Sequence, residues 1–152
     1  ENRGKVIIKG LDATLQVNQR LAPRHTLLFT ANYSLQDAAD RTSPTDNSYG
    51  KQSAHLPRHS GAVNLVWENP WINCGVNFSG ASSRWSTNNH APSTRLPGYG
   101  EIGLTCYRNI NLPTGVLKAS LSLHNLLNKS YEIVRRYPMP TRRFVVTLAY
   151  SL

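Results

Sequence analysis

The closing stretch of the chain constrains the fold most. From Arg142 to Leu152 the residues alternate strictly, with Phe144, Val146, Leu148, Tyr150 and Leu152 on one face and Arg143, Val145, Thr147, Ala149 and Ser151 on the other. A period of two held that long is a β-strand. Its aromatic-rich flank, ending on leucine, must meet a nonpolar medium, either a packed core or acyl chains.

The same alternation recurs upstream. Leu11, Ala13, Leu15, Val17, Gln19 and Leu21 oppose Asp12, Thr14, Gln16, Asn18 and Arg20; after the turn Ala22 to His25, Leu27, Phe29, Ala31, Tyr33 and Leu35 oppose Leu28, Thr30, Asn32, Ser34 and Gln36. These two segments predict a hairpin. Asp37 to Leu56, rich in Asp, Ser, Thr, Asn and Gly, reads as a long loop. A third strand sets Gly61, Val63, Leu65 and Trp67 against Ala62, Asn64, Val66 and Glu68; after the turn Glu68-Asn69-Pro70, a fourth sets Ile72, Cys74, Val76 and Phe78 against Asn73, Gly75, Asn77 and Ser79. A second polar loop, Ser82 to Leu96, precedes a strand alternating Ile102, Leu104 and Cys106 with Glu101, Gly103 and Thr105. A turn from Asn109 to Gly115 leads to Leu117, Ala119, Leu121 and Leu123 against Lys118, Ser120, Ser122 and His124, and a third loop, Asn128 to Thr141, joins the terminal strand. The prediction is seven antiparallel strands, with short turns on one edge and long loops on the other.

That asymmetry, with one face apolar and the other rich in Asn, Ser, Thr and Gln, points to an all-β, antiparallel, up-and-down transmembrane β-barrel segment. Mean hydropathy is negative and no long apolar run exists, which excludes a transmembrane helix. Barrel strands show lipid only every second side chain, so the same composition suits them. Aromatics fall where interfacial girdles belong, with Trp67, Trp71 and Tyr150 toward the short turns and Tyr33, Phe78 and Phe144 toward the long loops. The net charge of +9 is dispersed over loops and turns and forms no nucleic-acid-binding cluster. Glu1 is followed by no basic leader or apolar segment, so the chain is expected to be a mature fragment or one piece of a larger assembly.

No catalytic constellation is present. The five histidines are scattered along the chain, the two cysteines show no Cys-x-x-Cys, and no serine sits in a nucleophile elbow, so no catalytic residue, metal ligand or cofactor is assigned. Cys74 and Cys106 share the apolar parity of neighbouring strands. They could sit side by side, and whether they are bonded stays open at this point; two unbonded residues facing lipid are the favoured expectation, because a bridge between directly paired strands is strained.

The run Leu123-His124-Asn125-Leu126-Leu127-Asn128-Lys129-Ser130-Tyr131-Glu132, followed by Tyr137-Pro138-Met139-Pro140-Thr141-Arg142-Arg143-Phe144, resembles the C-terminal end of TonB-dependent outer-membrane receptors. In those an Asn-Leu-(Leu/Phe)-(Asn/Asp)-x-x-Tyr-Glu element closes the penultimate strand and a Pro-Gly-Arg-like turn opens the last; Thr141 stands here where Gly is commoner. The Tyr-Pro-Met-Pro form is similar to the Bacteroides-type branch, with vitamin B12 and siderophore receptors as familiar relatives. Gly4-Lys5-Val6-Ile7-Ile8-Lys9-Gly10-Leu11-Asp12 resembles a strand start late in such barrels.

The resemblance implies the last part of a barrel of about 22 strands around an N-terminal plug. Residues 1–152 would supply roughly the last third of it, with the plug and earlier strands elsewhere, in the same or a second chain. It further implies an outer-membrane location with the C-terminus periplasmic, partners in lipid, plug and TonB, and transport of ferric siderophore, haem or cobalamin. Whether a surface lipoprotein caps the receptor stays open. Ligand contacts are expected in the long loops from Tyr49, His55, Arg84, Trp85, His90, Arg95, Arg135, Arg136 and Tyr137, cationic and aromatic groups suited to an anionic or planar ligand. Asp12, Arg20, Asn32, Asn64, Asn77, Glu101, Lys118 and Arg143 are expected to face the lumen. The rival reading is a soluble β-sandwich that binds carbohydrate through Trp67, Trp71 and Trp85 and buries Leu15, Phe29, Leu65, Phe78 and Leu121.

Overall fold

A computed structural model describes residues 4–152 of the chain; Glu1, at which no leader could be read, lies outside the described residues. Seven long strands form one antiparallel sheet in which each strand pairs with the next along the chain: β1 (Val6–Ala22), β2 (His25–Asp40), β3 (His59–Glu68), β4 (Asn73–Ala81), β7 (Tyr99–Leu112), β8 (Gly115–His124) and β11 (Arg143–Ser151). The numbers between fall in the long loops, where β5 (Arg84–Trp85) pairs with β6 (Arg95–Leu96) and β9 (Glu132–Val134) with β10 (Tyr137–Pro138). β1 and β11 are the edges of the open sheet.

Register carries the two-faced pattern across the whole sheet. Val17 stands opposite Phe29, Phe29 opposite Leu65, and Leu65 opposite Val76. The row continues through Leu104, Leu123 and Phe144. A slip of one residue in any ladder would send apolar side chains to the wet face, so a nonpolar medium on one side excludes every odd slip. On the other face Thr30, Asn64, Asn77 and Gly103 form the matching row.

Among the described residues no second sheet covers the apolar face. Leu15, Leu65, Phe78 and Leu121 are exposed and Phe29 is half-buried, so the sandwich reading, which needs all five in a core, is not favoured. The terminal strand is the barest, with Phe144 74% and Leu148 67% exposed.

Three sequence-based expectations are corrected, two of them strand boundaries. The first hairpin is longer at its loop end, running to Val6 and Asp40, because the loop after β2 extends the pairing beyond the alternating part. β7 continues to Leu112, leaving only Pro113 and Thr114 as the turn. Arg108 interrupts the apolar flank there, while Asn109 and Asn111 fall on the polar flank and the ladder to β8 runs on. The third correction concerns the cysteines. Cys74 and Cys106 are disulfide-bonded, since the β4–β7 register puts them directly opposite with Cα atoms 4.1 Å apart, the narrow type of antiparallel pair in which side chains converge.

The short turns use local chemistry. Arg24 takes a left-handed φ of 63° in the β1–β2 turn. In the β3–β4 turn the Asn69 side-chain oxygen accepts the N–H groups of Trp71 at 2.9 Å and Ile72 at 3.1 Å, an Asx turn. At the β7–β8 turn the hydroxyls of Thr114 and Tyr150 lie 2.7 Å apart.

Candidate functional site

Two surfaces can meet a ligand, the polar face of the sheet and the loop layer at its long-loop end. On the polar face the register aligns all eight residues expected there, and neighbours hold one another in place. Thr14 donates to the Asn32 side chain at 3.0 Å, Thr105 to Ser122 at 3.1 Å, and the Lys118 ammonium sits 4.6 Å over the Tyr107 ring. Gly103 leaves room for Asn77, whose amide oxygen would lie 2.5 Å from an added Cβ. The wall is therefore a lattice of hydroxyls and amides with few net charges, able to hydrogen-bond water or a polar surface opposite it.

The loop layer is built on the overhang of β2. The Ala38 N–H donates to the Gln52 side chain at 2.9 Å, Ser53 N–H to Ala38 O at 2.7 Å, and Gly50 N–H to Asp40 O at 2.8 Å. This buries Ala38, Ala39, Asp40 and Gln52. Hydrogen bonds from the Thr42 and Ser48 hydroxyls and the Thr42 N–H hold the Asp40 carboxyl below its ordinary pKa.

The second loop is locked to the third by Arg84, only 3% exposed. Its Nη2 donates to the carbonyls of Glu132 at 2.8 Å and Ile133 at 2.7 Å, and its guanidinium lies 5.4 Å over the Tyr99 ring. Nη1 is buried without a partner among the described residues. Beside it Trp85 stacks on His90 at 4.8 Å, and His90 Nε2 lies 2.7 Å from the Gln52 carbonyl. Main-chain bonding adds His55 N–H to Trp85 O at 2.7 Å.

The Asn-Leu-Leu-Asn run organises the third loop. Asn125, 2% exposed with φ 48°, donates to Lys129 O at 2.8 Å and Pro140 O at 3.1 Å, and accepts the Lys129 N–H at 3.0 Å. Asn128, φ 54°, accepts the Arg142 N–H at 2.9 Å, one residue before β11 begins. Asparagine tolerates the left-handed backbone and supplies the side-chain bonds, which is why both positions need it. Tyr131 stacks on Tyr99 at 4.6 Å and donates its hydroxyl to Glu101. Burial, and then that bond, push its pKa up to about 12, so it stays a proton donor at every physiological pH.

Of the nine expected ligand residues, the structure gathers three. Arg84, Trp85 and His90 line a cleft of about 300 Å³ with Gln52, Leu56, Arg58 and Ser83. His55 meets the group only through its backbone, and Arg95 is exposed and reaches Ser83 Oγ at 3.3 Å. Tyr49 lies apart beneath Arg41, 5.1 Å from its guanidinium. Arg135 and Arg136 form the tip between β9 and β10, next to Tyr137, which is 71% exposed. Sequence reasoning missed Gln52, Arg58, Tyr99 and Tyr131; the Asn-Leu-Leu-Asn-x-x-Tyr element signalled Tyr131, but its partners Tyr99 and Glu101 are set by register. Among the described residues no three His, Cys, Asp or Glu side chains gather as metal ligands. The cleft offers an aromatic wall, a buried guanidinium and imidazole and amide groups, a set suited to a planar or anionic organic group.

Comparison with known proteins gives two findings. Residues 1–126 match the family model described as TonB dependent receptor-like, beta-barrel, a stretch that runs through β8 and stops inside the Asn-Leu-Leu-Asn element. No curated protein matches the chain.

Proposed function

The chain belongs to the TonB-dependent receptor-like β-barrel family, and from that premise we propose that residues 1–152 form the C-terminal wall of a receptor that imports a scarce nutrient, a ferric siderophore, haem or cobalamin. The family is one of outer-membrane barrels that enclose a plug and draw on TonB for transport. On our reading the receptor is of the Bacteroides type, its C-terminus and short turns are periplasmic, and its long loops are outside. The polar face, from Asp12 and Arg20 to Lys118 and Arg143, lines the lumen, and the remaining strands and plug come from the same or a second polypeptide. Cargo first meets the loop layer, where Trp85, His90 and the Arg84 cleft take a planar or anionic part of it, with Arg95, Arg135, Arg136 and Tyr137 at the rim. Energy relayed by TonB then rearranges the plug and frees the cargo into a lumen walled by amides and hydroxyls.

One observation carries this reading: an apolar face continuous across all seven paired strands, backed by an equally continuous polar face. Open edges on β1 and β11 would leave unpaired backbone in lipid, which requires further strands to close the wall. The test uses the full receptor in outer-membrane vesicles, with single cysteines labelled in a background where both native cysteines are serine. Lipid-attached quenchers should dim labels at Leu15, Leu121 and Val146 and spare those at Thr14, Ser120 and Thr147. Equal quenching of both sets would overturn the assignment of faces. A second arm exchanges Trp85→Ala and His90→Ala, which should weaken cargo binding to intact cells; unchanged binding removes the loop cleft from the proposal.

A further inference from the structure

We propose that the apolar face carries a dedicated seat for a phosphorylated lipid of the outer leaflet, with an acyl chain laid in a groove over Gly61 and Gly80 and the headgroup phosphate held by Lys9, Arg58 and His59. The inference rests on the membrane reading above and adds a specific ligand to it. Register creates the groove. Gly61 pairs with Gly80 and Gly80 with Gly100, so three neighbouring strands lack a side chain at one level of the outer face. Leu15, Tyr33, Val63 and Phe78 stand up around that gap and enclose a largely apolar groove of about 570 Å³. The Phe78 ring leans over the gap, 3.0 Å from where a Cβ on Gly100 would lie.

The groove does not end in lipid-like surroundings. His59 lines it and also lines an adjoining depression of about 540 Å³ with Lys9, Leu35, Asp37 and Arg58. By strand parity Lys9, Asp37 and His59 point to the same side as Leu11, Leu35 and Gly61, so these ionisable groups crown the apolar face at its long-loop end. Arg58 pairs with Asp37 at 3.0 Å, and Lys9, which the register sets directly opposite Asp37, has no ion-pair partner among the described residues, so the two cations outnumber the one carboxylate there. Tyr33 Oη lies 2.7 Å from His59 Nδ1; with the hydroxyl donating, the imidazole keeps its Nε2–H as a further donor. An apolar trough leading to a cationic rim complements one class of molecule, an acyl chain joined to a phosphate. A soluble phosphate has no use for the trough, and a zwitterionic lipid gains little from the surplus charge.

The experiment uses the full receptor, extracted in mild detergent and reconstituted in vesicles of phosphatidylcholine doped with diphosphoryl lipid A, with retained lipid counted by native mass spectrometry. The receptor should keep lipid A in preference to phosphatidylcholine. Lys9→Gln should lower that preference about fivefold, the effect of one interfacial cation, and Ala31→Leu, which fills the trough, should lower it as well. Ala13→Leu repeats the trough test if Ala31→Leu fails to assemble. No preference for the phosphorylated lipid, no loss with Lys9→Gln, or displacement of the lipid by millimolar inorganic phosphate alone would each overturn the seat. Quenching of apolar-face labels by bulk lipid would survive any of these results, so loss of the seat is separable from loss of the membrane reading.

Discussion

The sheet and the loop layer are held together by opposite means. The sheet leaves its large apolar residues bare, Val146 and Leu148 each 67% exposed, and relies on the surrounding medium to cover them. Among the described residues of the loop layer the buried ones are chiefly polar, Asp40, Gln52, Arg84, Thr94 and Asn125, with Ala38, Ala39 and Leu96 as their apolar company. Lipid does for the sheet what a core does for a soluble domain, whereas the loops must satisfy each other's donors and acceptors without one. A change of polarity should therefore damage the sheet, and a lost hydrogen bond should damage the loops.

The largest effect expected is on the sheet's one covalent tie. The Cys74–Cys106 bridge spans 32 residues of chain, so its loss in a Cys74→Ser, Cys106→Ser variant should cost about 3–4 kcal/mol by loop-closure entropy. Thermal unfolding of the receptor in detergent reads this, and reduction of the parent should add two hydrogens to its mass. Next in size, Leu148→Lys should cost about 2–4 kcal/mol when the receptor is folded into bilayers, while Thr147→Lys on the opposite face should cost little. Similar costs for the two would erase the distinction between faces. In the loop layer, Asn125→Ala leaves the Lys129 and Pro140 carbonyls and the Lys129 N–H without their partner. It should destabilise the region by about 1–3 kcal/mol, seen as faster proteolysis between β8 and β11 with the strands still protected.

The smallest effect is a pH dependence at Asp40. Its folded pKa is lowered by the Thr42 and Ser48 hydroxyls, so its contribution is whole above the ordinary carboxylate value near about 4 and fades as pH falls through the folded one. Amide exchange over residues 41–51 should quicken in acid while exchange in β3 and β4 does not. Uniform quickening would show that the loops have no separate stability.

The difference between the regions also explains what the sequence discloses. Alternation made the seven strands and both faces legible, since each side chain reports its own face through a period of two. Strand ends were legible only where the pattern met a tight turn, as at Asn69. The overhang of β2 escaped because Ala38, Ala39 and Asp40 are covered by the following loop rather than by lipid. Parity placed Cys74 and Cys106 on one face, but only the register, which a long intervening loop leaves unspecified, could put them opposite each other. In the loop layer the Asn125 element was readable as a motif. The burial of Arg84 was not, because its partners are carbonyls of Glu132 and Ile133 in a different loop.

The bridged cysteines also record an itinerary. Two thiols become a disulfide only where an oxidant accepts their electrons, as happens outside the cytoplasm but not within it. The bond joins β4 to β7 and closes the chain between them into a ring that includes the second loop. Once that ring is shut, the two neighbours cannot part or exchange partners while the wall is assembled, whatever order the other strands arrive in.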